Sequence, residues 1–272
     1  MNDQANNGFK AYEELEFRDD FMFGHVMQDN ELCHDVLECL LQRPVGELSE
    51  IVSEKELQFT SDGKPIRMDI YTSDSDEVYD AEVQNLNKKT IESLQLPKRT
   101  RFYQSSIDGD HLKKNYSYKL LPESTVLFIC TFDPFNMGLP VYTFKEICEE
   151  ENSLYLGDGT AKVFFNCTYR GDKIPEDLGK LFEYVDTGKC GSSLTNRLDE
   201  AVIRARNMEM WRSEYMKEMV LIMDAIEEER ENTEAERKRA DEAEARAGKA
   251  EARANEAEAR VRELEAKLAA LS

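Results

Sequence analysis

Cationic residues are in short supply along this chain. Its 35 lysines and arginines face 56 aspartates and glutamates, so the 272 residues carry a formal charge of -21. A basic surface spread over the whole molecule is therefore excluded, and any grip on phosphates must come from a local cluster. No run of about 18 apolar residues occurs, which excludes a hydrophobic helix across a bilayer. The opening MNDQANNGFKAYEELEF also lacks the basic start and apolar run of a signal peptide, so the expected location is the cytoplasm, without membrane attachment. Cysteine is sparse: the six, at 33, 39, 130, 148, 167 and 190, form no CxxC pair and sit in apolar segments, which points to reduced, buried thiols. The three histidines, His25, His34 and His111, share no metal-ligand spacing, and Gly157 and Gly159 lack the strand, turn and helix order of a nucleotide loop.

What the chain does have is a regular alternation of patterns. Apolar residues at helical spacing predict helices over Asp20 to Gln28 and Glu31 to Gln42, closed by Pro44 and Gly46. Strand-like runs follow at Ile51 to Phe59, Ile66 to Thr72 and Val78 to Leu86, and they read as an antiparallel meander. A helix over Pro97 to Leu112 precedes TVLFICTF, a continuous apolar run that suits a strand buried on both faces. The order is α-β-β-β-α-β, an α/β class with a mixed sheet. Further strands are expected at Val141 to Ile147 and Lys162 to Cys167, and helices at Glu176 to Val185 and Leu194 to Ala225. Residues 1–14 read as a poorly ordered start, 15–190 as the main domain, 191–239 as a helical extension and 240–272 as a coil.

In that last segment small or apolar residues recur at alternating steps of three and four, from Ala240, Ala243, Ala247 and Ala250 to Val261, Leu264, Leu268 and Leu271. Such an a/d series predicts a coiled coil, a rod of about 48 Å that makes the chain a homo-oligomer. Its seam breaks upstream, where Thr233 and Glu236 fall on core positions.

One stretch departs from the acidic background. Between Asn85 and Lys119 lie Lys88, Lys89, Lys98, Arg99, Arg101, Lys113, Lys114 and Lys119, against Glu92, Asp108 and Asp110. Just before it, strand alternation puts Arg67, Asp69 and Tyr71 on one face of IRMDIY, and Asp80, Glu82 and Gln84 on one face of VYDAEVQ. A hairpin centred between Ser75 and Asp76 sets Tyr71 opposite Asp80, Asp69 opposite Glu82 and Arg67 opposite Gln84. Two carboxylates with Cβ atoms about 5 Å apart repel unless a cation lies between them. Oxygen ligands of this hardness suit Mg²⁺ or Mn²⁺.

The strings DDFMFGHVMQD, IRMDIY, VYDAEVQ, LPKRTRFYQSSID, VLFICTFDPF, LGDGTAKVFFN and WRSEYM resemble the Rpn family of recombination-promoting nucleases, also called putative transposases, of the PD-(D/E)XK superfamily. The likeness spans roughly residues 15 to 220. It implies a restriction-endonuclease-like core and a metal-dependent endonuclease that hydrolyses DNA, with roles in recombination, mobile elements or defence against foreign DNA. Asp69 and Glu82 are implied metal ligands, the Val83 carbonyl a further one, and Gln84 fills the superfamily's lysine slot. Asp20, Tyr103 and Gln104 are implied to border the site, with Lys88, Lys89, Lys98, Arg99 and Arg101 placed to hold DNA. Glutamine carries no charge, and the hairpin register offers Arg67 as the missing cation. The alternative is a catalytically weak DNA-binding or assembly module that keeps the fold.

Overall fold

The computed structural model describes residues 10–58, 65–85 and 95–269. Two units make up the chain, Met1–Ser213 and Glu214–Ser272. In the first, helix α1 (Asp20–Val26) and helix α2 (Asn30–Leu41) precede three strands, β1 (Val52–Leu57), β2 (Ile66–Ser73) and β3 (Glu77–Gln84). Helix α3 (Leu96–His111) then leads to β4 (Glu123–Cys130), β5 (Val141–Phe144) and β6 (Thr160–Asn166), followed by α4 (Glu176–Thr187) and α5 (Ser193–Arg206). The α-β-β-β-α-β order expected from the sequence is thus the order found through β4.

Among the described residues the strands form one sheet in the order β1-β2-β3-β4-β6-β5. β1, β2 and β3 pair antiparallel, while β3, β4 and β6 run parallel, and β5 closes the edge antiparallel to β6. The crossover from β3 through α3 to β4 is what a parallel neighbour requires. β3 is buried along its whole length, and β4 everywhere except Glu123, which accounts for the unbroken apolar run in TVLFIC.

Helix α3 covers one face. Its Tyr103 and Ile107 pack with Val126, Phe128 and Phe164, and the Phe128 and Phe164 rings stack at 5.3 Å. On the opposite face Phe165 meets Phe182 of α4 edge to face, at 6.1 Å. Helix α5 starts at a capping box formed by Ser192 and Thr195 and buries Leu198, Val202 and Ala205 against the rest of this unit.

Three expectations change. Tyr12, placed in a loose start, is buried and donates from its hydroxyl to the Ala205 carbonyl at 2.7 Å, so the ordered fold begins before residue 15. The single helix expected over Leu194 to Ala225 is two: the Asn207 side chain donates to the Ile203 carbonyl at 2.8 Å and interrupts the ladder. Helix α6 (Glu209–Ala269) then runs without a break through residue 240, so the expected edge between 239 and 240 falls inside a helix.

The Phe128 ring is fully buried between α3 and the sheet. Phe128→Ala is expected to lower unfolding free energy by about 3–5 kcal/mol, measured by denaturant titration of the full chain.

Candidate active site

The acids of β2 and β3 meet where the hairpin ladder gives way. Regular pairing runs from Ser73↔Val78 through Thr72↔Tyr79 and Tyr71↔Asp80 to Ile70↔Ala81, the register expected from the turn. At the next position side chains take over. The Asp69 N–H donates to Glu82 Oε1 at 2.9 Å, and the Val83 N–H donates to Asp69 Oδ2 at 3.0 Å. Each carboxylate therefore serves as acceptor for the backbone of the opposite strand.

The same point breaks the pleat. Ile66, Met68 and Tyr71 all belong to one core cluster, which strict alternation forbids, and Glu54 on the neighbouring β1 has φ of 53°. The face therefore switches between Met68 and Tyr71. As a result Arg67 is exposed and pairs with Glu54 at 3.3 Å. The expectation that Arg67 faces Gln84 is thereby corrected, because period-two alternation does not continue through Asp69.

Arg99 has the place foreseen for Arg67. From α3 its guanidinium donates to Glu82 Oε2 at 3.2 Å, to Gln84 Oε1 at 3.2 Å and to the Tyr103 hydroxyl at 2.8 Å. It also lies 5.3 Å from the Tyr103 ring centre and 5.7 Å from that of Phe128, the residue beside Glu82 on β4. Arg99 and Tyr103 share a helix face by their i, i+4 spacing, whereas Lys98 and Arg101 are exposed. Of the basic residues assigned to DNA, Arg99 is thus turned into the site, Lys98 and Arg101 remain on the surface, and Lys88 and Lys89 lie outside the described residues.

Other expected neighbours divide in the same way. Asp20 begins α1 and is close enough for its charge to raise the pKa of both Asp69 and Glu82. Tyr103 borders the pair as expected and donates to the Arg67 carbonyl at 3.3 Å. Gln104 does not. It is buried and bonds Ser124, which sits opposite Val78, about 13 Å along β3 from Glu82. Gln84 turns its amide nitrogen to the Val83 carbonyl at 2.8 Å.

Asp80 shares the polar face of VYDAEVQ, and alternation alone does not single it out as a site acid. It is fully buried, and neither carboxyl oxygen has a well-formed hydrogen bond. Burial, and then the charge of Asp69, hold its pKa well above the usual carboxylate range, against a weaker opposing effect of the Glu82 carboxyl and Arg99. Burial is also the main cause of the raised pKa of Asp69, followed by the charges of Glu82 and Asp20. For Glu82 burial comes first and Asp80 second. Three acids thus crowd around one guanidinium.

The arrangement offers hard oxygen donors and an excess of negative charge, which fits a divalent cation bound by two carboxylates and a backbone carbonyl. Among the described residues no three His, Cys, Asp or Glu side chains are grouped to hold a metal on their own. A cavity of about 1160 Å³ lies elsewhere, at the start of β3, with Glu77, Glu123 and Thr143 in its wall. Cys33, Cys39, Cys130 and Cys167 are buried and unbridged, and no helix among the described residues is long and apolar enough to cross a membrane.

The raised pKa values set a sign. A carboxyl that holds its proton more tightly when folded favours the folded state fully below its unfolded value, near 4, and loses that contribution as pH rises through the folded value. Other acids in the molecule, such as Asp74, shift downward, so the difference between two chains isolates the effect. Asp80→Asn is expected to match the native melting temperature at low pH and to exceed it increasingly as pH rises. Each kcal/mol relieved is worth about 2–4 °C in calorimetry. An equal offset at every pH contradicts the assignment.

Compared with protein-family models, with curated proteins and with solved structures, the chain has no match.

Proposed function

We propose that this chain is a divalent-metal-dependent deoxyribonuclease of the PD-(D/E)XK type, related to the Rpn nucleases, and that its substrate is a DNA phosphodiester. The observation that carries the reading is the cross-strand pair of half-buried Asp69 and buried Glu82, each carboxylate bonded to a backbone N–H of the opposite strand, with Gln84 two residues on. The α-β-β-β-α-β order and the family resemblance of the surrounding strings support it.

Asp69 and Glu82 hold Mg²⁺ or Mn²⁺, with the Val83 carbonyl as a further ligand. A bound cation supplies a water of lowered pKa and stabilises charge on the scissile phosphate. Gln84 orients polar groups beside the pair, and Arg99 brings the positive charge that a glutamine lacks. Lys98 and Arg101, exposed on the same helix, take phosphates of the flanking backbone. The C-terminal helix is a coiled-coil strand that joins copies of the chain.

A second reading rests on Arg99. Since Glu82 already has a cationic partner at 3.2 Å, the acids are partly neutralised without metal, as suits a binding module that keeps the fold. The two readings part on cleavage. Asp69→Ala and Glu82→Ala are each expected to cut Mg²⁺-dependent plasmid nicking by at least about a hundredfold, or about 2.7 kcal/mol. Circular dichroism should stay native. Mg²⁺ should also raise the melting temperature of the native chain and of neither variant. Native nicking rates in either variant overturn the assignment of the acids. DNA binding by the native chain without cleavage in Mg²⁺ or Mn²⁺ selects the module.

The role of Arg99 has its own test. Arg99→Lys should keep more nicking activity than Arg99→Met, because lysine preserves the charge while losing the fork that spans Glu82 and Gln84. Equal activity of the two variants excludes a charge role.

A further inference from the structure

Helix α6 carries a second pattern besides its Ala seam. With Ala240, Ala247, Ala254 and Val261 at a and Ala243, Ala250, Ala257 and Leu264 at d, every flanking e position is acidic: Glu244, Glu251, Glu258 and Glu265. Every flanking g position is basic: Arg239, Arg246, Arg253, Arg260, and Lys267 after them. The e and g side chains are exposed, and Val261 and Leu264 are 53% and 50% exposed on this single chain.

In a parallel coiled coil, a g residue faces the e residue five positions later on the other helix. Arg239, Arg246, Arg253 and Arg260 then meet Glu244, Glu251, Glu258 and Glu265 of a second copy, each pair attractive and each repeated by symmetry. An antiparallel arrangement brings g to g and e to e, and every such contact pairs like charges. A one-residue-type rule of this kind, basic at all g and acidic at all e, excludes one orientation outright while leaving the other fully complementary.

We propose that the segment from Arg239 to Lys267 is a parallel, in-register, two-stranded coiled coil whose partner is a second copy of this chain. This does not depend on the phosphodiesterase reading. Alanine at six consecutive core positions lets two helices approach closely but leaves little apolar area for a third; the charges set the orientation, and Val261 and Leu264, which bury apolar area only against their own counterparts, set the register. The i, i+4 pairs within one helix, Glu242–Arg246 at 3.4 Å and Glu258–Arg262 at 3.6 Å, support each strand before it finds its partner. Upstream, Met219, Ile222 and Ile226 continue the same a/d register, and Glu229, Thr233 and Glu236 interrupt it.

The test uses the full chain. Sedimentation equilibrium is expected to show a reversible dimer in the micromolar range. Arg246→Glu with Arg253→Glu and Arg260→Glu should weaken it at least about tenfold. Adding Glu251→Arg, Glu258→Arg and Glu265→Arg to that variant should restore affinity to within about threefold, which a mere loss of helix would not allow. Ala243→Cys, at a d position, should give an inter-chain disulfide under mild oxidation that the unsubstituted chain does not form, since matching d residues in a parallel pair lie at disulfide distance. A monomer at about 100 μM, a trimer or larger species, native affinity in the triple reversal, or a dimeric Ala243→Cys chain without the disulfide would overturn the proposal.

Discussion

Two carboxylates of adjacent strands accept backbone amides from the strand opposite, Glu82 from Asp69 and Asp69 from Val83, and the candidate site is arranged around that exchange. A ladder hydrogen bond is normally made by main-chain groups alone. Here Glu82 Oε1 and Asp69 Oδ2 replace carbonyl acceptors, so β2 and β3 stay joined while side-chain atoms sit between them. The pleat of β2 changes face at the same place. That change lets Ile66 and Met68 join Tyr71 in the core under α3, and it sends Arg67 to the surface. The acids are thus part of the sheet's own bonding, which is why their geometry is set by the fold.

Burial makes the exchange expensive in electrostatic terms. Moving carboxylates out of water raises their pKa, and their mutual repulsion adds to it. Only Arg99 supplies positive charge among the hydrogen bonds described to Glu82 and Gln84, and it is held in place by the Tyr103 hydroxyl and by the faces of Tyr103 and Phe128. A guanidinium there can share Glu82 with a metal or compete with it. The oxygens of Asp80 have no well-formed hydrogen bond, and burial holds that carboxyl towards its protonated form.

The C-terminal unit follows different physics. Its helix has an exposed surface, and it draws local support from i, i+4 ion pairs such as Glu234–Lys238 at 2.9 Å. Pattern rather than packing carries the information in this part of the chain, and the charge order at e and g speaks to orientation.

Local pattern in the chain is enough for the element order through β4, the hairpin register as far as Ile70 and Ala81, the double burial of β4 and the heptad spacing of the last segment. All of these follow from local periodicity and turn chemistry, which a chain displays without reference to distant residues. Packing in three dimensions is needed to set Arg99, and not Arg67, against Gln84, to turn Gln104 towards Ser124, to bury Asp80 without a well-formed hydrogen bond and to anchor Tyr12 on α5. The reason is common to these cases. Period-two alternation assigns faces only while the pleat is regular, and helical periodicity tells which side of α3 is inward but not which strand residue it meets. A break of one residue at Asp69, forced by side chains that replace the ladder, redirects everything before it.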